Sequence, residues 1–402
     1  MSIPVILDKA EAEQELTVEE GAELFAAEDD DLQRLIAAAD GRRQRRAGDR
    51  VAYVVNRNIN FTNVCTKRCG FCAFSRGHRA DEGYFLPREE ILRRVHEARD
   101  LGATEVCIQA GLPPTIDGSF YIDLCAAIKR VVPEIHVHAF SPEEILYGAT
   151  LSNRTIQDYL QALKDVGLGS LPGTSAEILD DRVRDLISPG RISTSDWINI
   201  IRTAHHLGIP TTSTIMYGHL ETALDRARHL DLIRTIQKDT GGFTEFVPLS
   251  FIAAEAPMVL KSLVPGVRTH VAQEDVLRMY AISRLMLDPW IANLQATWVK
   301  QGLALAQACL AAGANDFGGT LMNESISTSA GASHGQFLTP PDIRTCIRNA
   351  GRVPVERSTT YKILRDFEHE PAGSADVWNE DRFGTYKTLI RSSDFRYRDR
   401  RQ

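Results

Sequence analysis

Apolar positions fall on two periods along the chain, and the change between them marks its organisation. Over residues 1–50, acidic and apolar residues alternate with a helical period, as in TVEEGAELFAAEDDDLQRLIAAAD. That stretch ends in Arg42, Arg43, Arg45 and Arg46, a charge run that reads as a solvated helix end. From Val51 onward, short β-rich segments alternate with helical ones. Strands are expected over residues 51–61, 105–109, 135–140, 169–171, 211–216, 243–251, 291–298 and 314–318. The intervening helices carry their own signals. Pro87 sits in the first turn of one, and Ser195-Asp196 starts another that Gly208 closes. Strands and helices in this alternation predict an α/β fold, a TIM-like (βα)8 barrel over residues 51–350. Helical extensions are expected over 1–50 and 351–402, the second packing a helix or two on the barrel and then fraying. An open doubly wound sheet is the alternative, but no Gly-x-Gly-x-x-Gly turn follows the first strand.

Composition narrows the function classes. The 402 residues are 43% apolar and 25% charged, an ordinary globular balance. A net charge of −7 lends no support to a nucleic-acid partner. No apolar run reaches the roughly 18 residues a membrane span needs, and the N-terminus lacks a signal-peptide core. Seven cysteines is an odd count, and Cys107, Cys125, Cys309 and Cys346 are scattered as small apolar residues would be. A disulfide framework is disfavoured and a reducing cytoplasm expected.

The remaining three cysteines carry the chemistry. Cys65, Cys69 and Cys72 form a Cys-x3-Cys-x2-Cys cluster in the loop after the first strand, at the barrel mouth where active sites lie. Three thiolates without a fourth leave one corner of a [4Fe–4S] cube free for a small molecule, whereas plain electron-transfer clusters take four. Gly70 permits a tight loop, and Lys67 and Arg68 are expected to favour thiolate. A structural zinc site would need a second ligand pair, and none follows. A non-catalytic electron-transfer or zinc protein is the alternative class.

The spacing with Phe71 inside it resembles the signature of the radical S-adenosylmethionine (SAM) superfamily. The wider strings INFTNVC, CGFCAFSR, EGYFLP, QAGLPP, HAFSPEE and TSTIMYGH resemble the FO synthase subunit that joins tyrosine to a ribityl-diaminouracil. That resemblance runs from Val51 to Arg357. It implies L-tyrosine and 5-amino-6-(D-ribitylamino)uracil as substrates, with SAM on the free iron corner as the source of a 5′-deoxyadenosyl radical. It also implies a reductant such as flavodoxin or ferredoxin and a ring-closing FO synthase subunit as functional partner. Menaquinone-pathway radical SAM enzymes, aminofutalosine synthase and dehypoxanthine futalosine cyclase, are the nearest alternatives.

The resemblance also assigns roles. Phe71 is expected near the adenine, the backbone of Gln109-Ala110-Gly111 at the methionyl amino group, and Glu177 on the ribose hydroxyls. Where related barrels carry an Arg for the SAM carboxylate this chain has Trp197, so Arg182 or Arg191 is expected to substitute. His136 and His138 share one strand face, and a polar lumen makes them pocket candidates. Tyr217, His219 and Trp298 are further candidates, with Gln295, Asn315, Asp316, Asn323 and Glu324 for the ribityl chain. Each reads equally as a cap or core residue.

Overall fold

The computed structural model describes residues 1–369 and 383–400. β1 (Arg50–Val54) and β2 (Asn56–Ile59) are two halves of one strand broken at Val55. β2 pairs in parallel with β3 (Glu105–Ile108), and β3 with β4 (His136–Ala139). Single parallel bridges, His138 to Ser170 and Leu171 to Thr211, carry the ladder into β5 (Thr211–Tyr217). β5 pairs with β6 (Phe243–Ser250). Bridges from Phe246 to Leu294 and Gln295 to Asp316 then lead into β7 (Asp316–Gly319), which pairs with β1. The parallel pairings thus return to the strand they left, as a (βα)8 barrel requires.

Two expected strands shrink to bridges. At 169–171, Gly169 lies against His136, where a Cβ would meet the imidazole at 2.5 Å, and Pro172 has no N–H to extend the ladder. At 291–298, the Asn315 side chain takes the Leu294 N–H at 2.9 Å, and Trp298 already opens the helix Trp298–Gln301. Conversely, β8 (Val353–Arg357) pairs in parallel with β1, and β9 (Ile363–Asp366) lies antiparallel to β8. Pro354 interrupts the β8 pattern, which hides that strand from a sequence reading.

Ahead of the barrel stand helices Ile3–Glu11, Val18–Leu24 and Asp29–Ala47. Thr17 and Glu20 form a reciprocal capping box at the second. The third packs along helix Gln273–Leu287. Here the solvated-end expectation fails for Arg42 and Arg43, which are buried. Arg42 donates to Asp288 at 3.3 Å and to the Ala10 carbonyl at 2.7 Å, and Arg43 to Asp40 at 2.6 Å. Arg45 and Arg46 remain exposed.

Beyond the barrel, helix Tyr386–Arg391 rests against the cysteine loop, with the Tyr386 and Phe74 rings 5.5 Å apart. The fraying expected of the final residues, 401–402, lies outside the described residues. Among the described residues, no helix is long and apolar enough to cross a membrane.

Candidate active site

The cysteine loop leaves β2 and folds back under its neighbours. The Cys65 N–H donates to Arg76 O at 3.1 Å, Thr66 N–H to Leu112 O at 2.9 Å and Cys72 N–H to Cys69 O at 3.2 Å. Gly70 donates to Ile187 O and accepts from Met258 N–H, each at 2.7 Å. A Cβ there would meet Met258 Cβ at 2.9 Å, so glycine serves close approach at this position. Gly111 does the same for the loop stem, where a Cβ would fall 2.3 Å from Val64 O. Cys65, Cys69 and Cys72 are all unbonded to one another and line one cavity of ≈ 400 Å³ at the barrel mouth.

Burial pushes the Cys69 thiol up to about 12 and raises that of Cys72. The cation that most opposes this at Cys69 is Arg191. The expectation that Lys67 and Arg68 would do so is corrected by their placement. Lys67 donates to Gly190 O at 2.5 Å and pairs with Glu143 at 3.2 Å, and Arg68 is exposed.

Arg191 organises one wall. It donates to Glu177 Oε1 at 2.6 Å, Ser175 Oγ at 2.6 Å and Glu143 Oε2 at 3.2 Å. Its guanidinium lies 5.7 Å from the centroid of the Phe71 ring, within cation–π range. Ser175 and Glu177 hold positive φ, 64° and 40°, a strained conformation for residues with a Cβ. Glu177 Oε2 is buried without a hydrogen-bond partner, an acceptor left for a ligand donor. Next to this wall, Glu144 accepts from Ala110 N–H at 3.1 Å and from Ser141 N–H at 2.8 Å. Gln109 accepts from Thr174 Oγ1 at 2.7 Å and donates to Cys107 Sγ at 3.4 Å.

The deep end of the cavity is lined by Glu105, His138, Glu245, Gln295, Arg357 and Thr359. Asn56 donates to Glu105 at 2.9 Å, and Gln295 donates to Glu245 at 3.0 Å. Arg357 spans Asp316 and Glu245, and the Tyr361 hydroxyl also donates to Glu245. Burial raises the Glu245 carboxyl against the pull of Arg357, and burial pushes His138 down to about 4.

The three cysteines, Phe71, Gln109, Ala110, Gly111, Glu177 and His138 all line this cavity. Other expected residues fall elsewhere. Arg182 is largely exposed and pairs with Asp225 at 2.8 Å, so Arg191 is the arginine at this wall. His136 and His138 both bond Ser170 Oγ at 2.7 Å, but only His138 reaches the cavity. Trp298 donates to Gly319 O at 3.0 Å, and Asn315 accepts from Arg284 at 2.8 Å. Both are buried as framework. Tyr217 and His219 are buried away from the lining, and His219 lies beside Glu221. Asp316 acts behind Arg357, and Asn323 accepts from Arg57 at 2.7 Å. Trp197 donates to Thr174 O at 3.1 Å and braces the wall from behind. Cys125, Cys309 and Cys346 are buried as expected, whereas Cys107 lines the cavity.

The donor set fits an iron–sulfur cluster with a bound cosubstrate. Among the described residues, no three His, Cys, Asp or Glu side chains converge as ligands of a single ion. Three thiols spread along one loop suit a cluster several ångströms wide. The Glu177 oxygen without a partner and the Phe71 ring line the same cavity, so an acceptor stands open there to the hydroxyl of a bound ligand.

Comparisons with known proteins agree with this geometry. Residues 59–233 match the Radical SAM superfamily, and residues 240–370 match the CofH/MqnC C-terminal region. The chain is 49% identical to the 5-amino-6-(D-ribitylamino)uracil–L-tyrosine 4-hydroxyphenyl transferase of Methanothermobacter thermautotrophicus, over 90% of this chain and 97% of that protein. It is 47% identical to the transferase of that name from Methanocaldococcus jannaschii, over 88% and 98% of the two chains. Among solved structures, methylornithine synthase superposes with a TM-score of 0.68 at 19% identity, covering 87% of this chain and 97% of that one. The hydrogenase maturase HydG of Carboxydothermus hydrogenoformans gives 0.68 at 17% identity, covering 89% and 80%. At such identities these two bear on the fold alone. The chain belongs to the 5-amino-6-(D-ribitylamino)uracil–L-tyrosine 4-hydroxyphenyl transferase family within the radical SAM superfamily.

Proposed function

We propose that this chain transfers the 4-hydroxybenzyl group of L-tyrosine to 5-amino-6-(D-ribitylamino)uracil, the step that assembles the FO deazaflavin precursor. The observation that carries this is the near-half identity to curated transferases along almost their whole length. The enzyme uses a [4Fe–4S] cluster and SAM, as its superfamily does. Cys65, Cys69 and Cys72 would hold the cluster, and Phe71, the 109–111 backbone, Glu177 and Arg191 would line the SAM site beside it. When bound, these groups supply one-electron cleavage of the sulfonium and a primary carbon radical.

The chain's own contribution is placement and exclusion of solvent. The cysteine loop is pinned from both sides by Ile187 and Met258 through Gly70, so its thiols hold a fixed geometry. Arg191 and Lys67 together balance the charge of Glu143 and Glu177, and one Glu177 oxygen stays free to receive a hydroxyl. His138 stays neutral at physiological pH, because burial lowers it to about 4, and can accept or donate a hydrogen bond without adding charge. At the floor, carboxylates and amides offer acceptors and donors suited to a polyol and a uracil edge. A site set inside the barrel mouth limits the access of water to a reactive carbon centre.

An electron donor such as flavodoxin or ferredoxin and the ring-closing FO synthase subunit complete the proposed setting, in the cytoplasm. Anaerobic turnover with reductant, SAM, tyrosine and the ribityl uracil tests the assignment by product mass. The expected product is the tyrosine-derived adduct of the uracil. No adduct, with turnover of a futalosine-pathway substrate instead, would reassign the chain.

A further inference from the structure

Among the described residues, four cationic side chains line the cavity: Lys67, Arg191, Lys300 and Arg357. Three of them are already engaged by protein acceptors. Lys67 is held by Gly190 O and Glu143. Arg191 is held by Glu143, Glu177 and Ser175. Arg357 is held by Asp316, Glu245 and the Ser358 carbonyl. The Lys300 ammonium has no protein acceptor among the described residues, and its one attractive charge is Glu324. Glu324 also lines the cavity, and the two interact through charge without forming a direct ion pair.

Both groups are rigidly carried. Lys300 sits on the short helix Trp298–Gln301, which Trp298 anchors to Gly319 O and Gln301 ties to the Tyr280 hydroxyl at 3.2 Å. Glu324 receives the Ser327 N–H on both oxygens, at 2.9 Å on Oε1 and 3.0 Å on Oε2. Its loop is fixed through Asn323, which accepts from Arg57 and donates to Phe383 O at 3.0 Å. Leu321 and Asn323 hold positive φ there, 52° and 65°, a conformation kept only where surroundings impose it.

A separated cation and anion facing one cavity match an amino-acid zwitterion. We propose that Lys300 binds the α-carboxylate of the tyrosine substrate and Glu324 its α-ammonium group; this rests on the function proposed above. It fixes which end of the amino acid faces the segments that follow the Leu294–Gln295 bridges and β7, and leaves the aromatic end toward the remaining cavity. Burial lowers Lys300 and raises Glu324 from their ordinary values. A bound zwitterion places an opposite charge in direct contact with each, which the two side chains do not do for one another, so charge complementarity is gained on binding.

The test is steady-state kinetics of the anaerobically reconstituted holoenzyme, with tyrosine and the uracil varied separately. A charged hydrogen bond of this kind corresponds to about 10- to 100-fold in affinity. Lys300→Met is expected to raise the tyrosine KM by about that factor and leave the uracil KM within about twofold. Lys300→Arg should restore most of the loss. Equilibrium binding of tyramine, which lacks the carboxylate, should be far weaker than that of tyrosine in the wild type, and Lys300→Met should erase the difference. Glu324→Gln should erase the corresponding preference for tyrosine over its deaminated analogue, 3-(4-hydroxyphenyl)propionate. A tyrosine KM unmoved in Lys300→Met, or a rise confined to the uracil, would overturn the inference while adduct formation by the wild type upheld the function. A wild-type enzyme that makes no adduct from tyrosine would overturn both.

Discussion

At Arg191 a single side chain joins the cluster loop to the opposite wall. It holds two carboxylates, reaches Ser175 and lies over Phe71. All these groups are buried or nearly so, which makes the pairing strong to break though costly to build. Arg191→Met should therefore destabilise the fold by about 3–5 kcal/mol, because Glu177 is left charged and alone. Thermal unfolding of the variant would measure this, and an unchanged Tm would count against the role. The three cysteines were legible from spacing alone, since a loop motif brings its own neighbours. Arg191 was only one of two candidates, because its partners lie 14, 16 and 48 residues away in sequence. Strand parity correctly put His136 and His138 on one face. It could not tell that, of the two imidazoles that share Ser170 Oγ, His138 lines the cavity and His136 does not. Lys300 carried no motif at all.

Among the elements, helix Pro142–Leu151 shows how a cap doubles as a site wall. Ser141 and Glu144 form its capping box, and the same Glu144 carboxylate receives the Ala110 N–H from the 109–111 turn. Burial outweighs these donors and raises Glu144 from 4.5 to about 7. A raised carboxyl favours the fold in its protonated form, so its contribution is full below pH 4.5 and lost as pH climbs through about 7. The loss amounts to roughly 3 kcal/mol at most. Gln also serves at the third position of a capping box, so Glu144→Gln should keep the helix while losing this pH dependence. Denaturant unfolding of both proteins at about pH 5 and pH 8 measures the difference. Equal pH slopes would show that Glu144 is ionised throughout. The long helices and strands β3 to β7 follow the hydrophobic periods closely. What escaped were two ladder positions where a side chain or proline replaces backbone pairing, and β8, whose pattern Pro354 breaks.

Across the whole molecule, segments outside the barrel brace its lower rim and its mouth. Asp288 receives Arg42 and Arg46 from the N-terminal helix, and among the described residues the Ala10 carbonyl is the one other acceptor of the buried Arg42. Asp288→Ala should cost about 3–5 kcal/mol by stranding that guanidinium, seen as a lowered Tm with iron content per folded chain unchanged. A Tm equal to wild type would mean that water or another acceptor takes over. At the mouth, Tyr386 packs on Phe74, and Tyr397 N–H donates to Gly83 O at 2.8 Å, so the C-terminal residues steady the cysteine loop. Three thiols that leave one iron of a cluster open to SAM are the chemical premise of the proposed reaction. EPR of the reduced, anaerobically reconstituted protein, taken before and after adding SAM, tests this most directly. The account predicts about four irons per chain, a spectrum that changes with SAM, and loss of both in Cys69→Ala. A protein without a four-iron centre, or a spectrum indifferent to SAM, would contradict it.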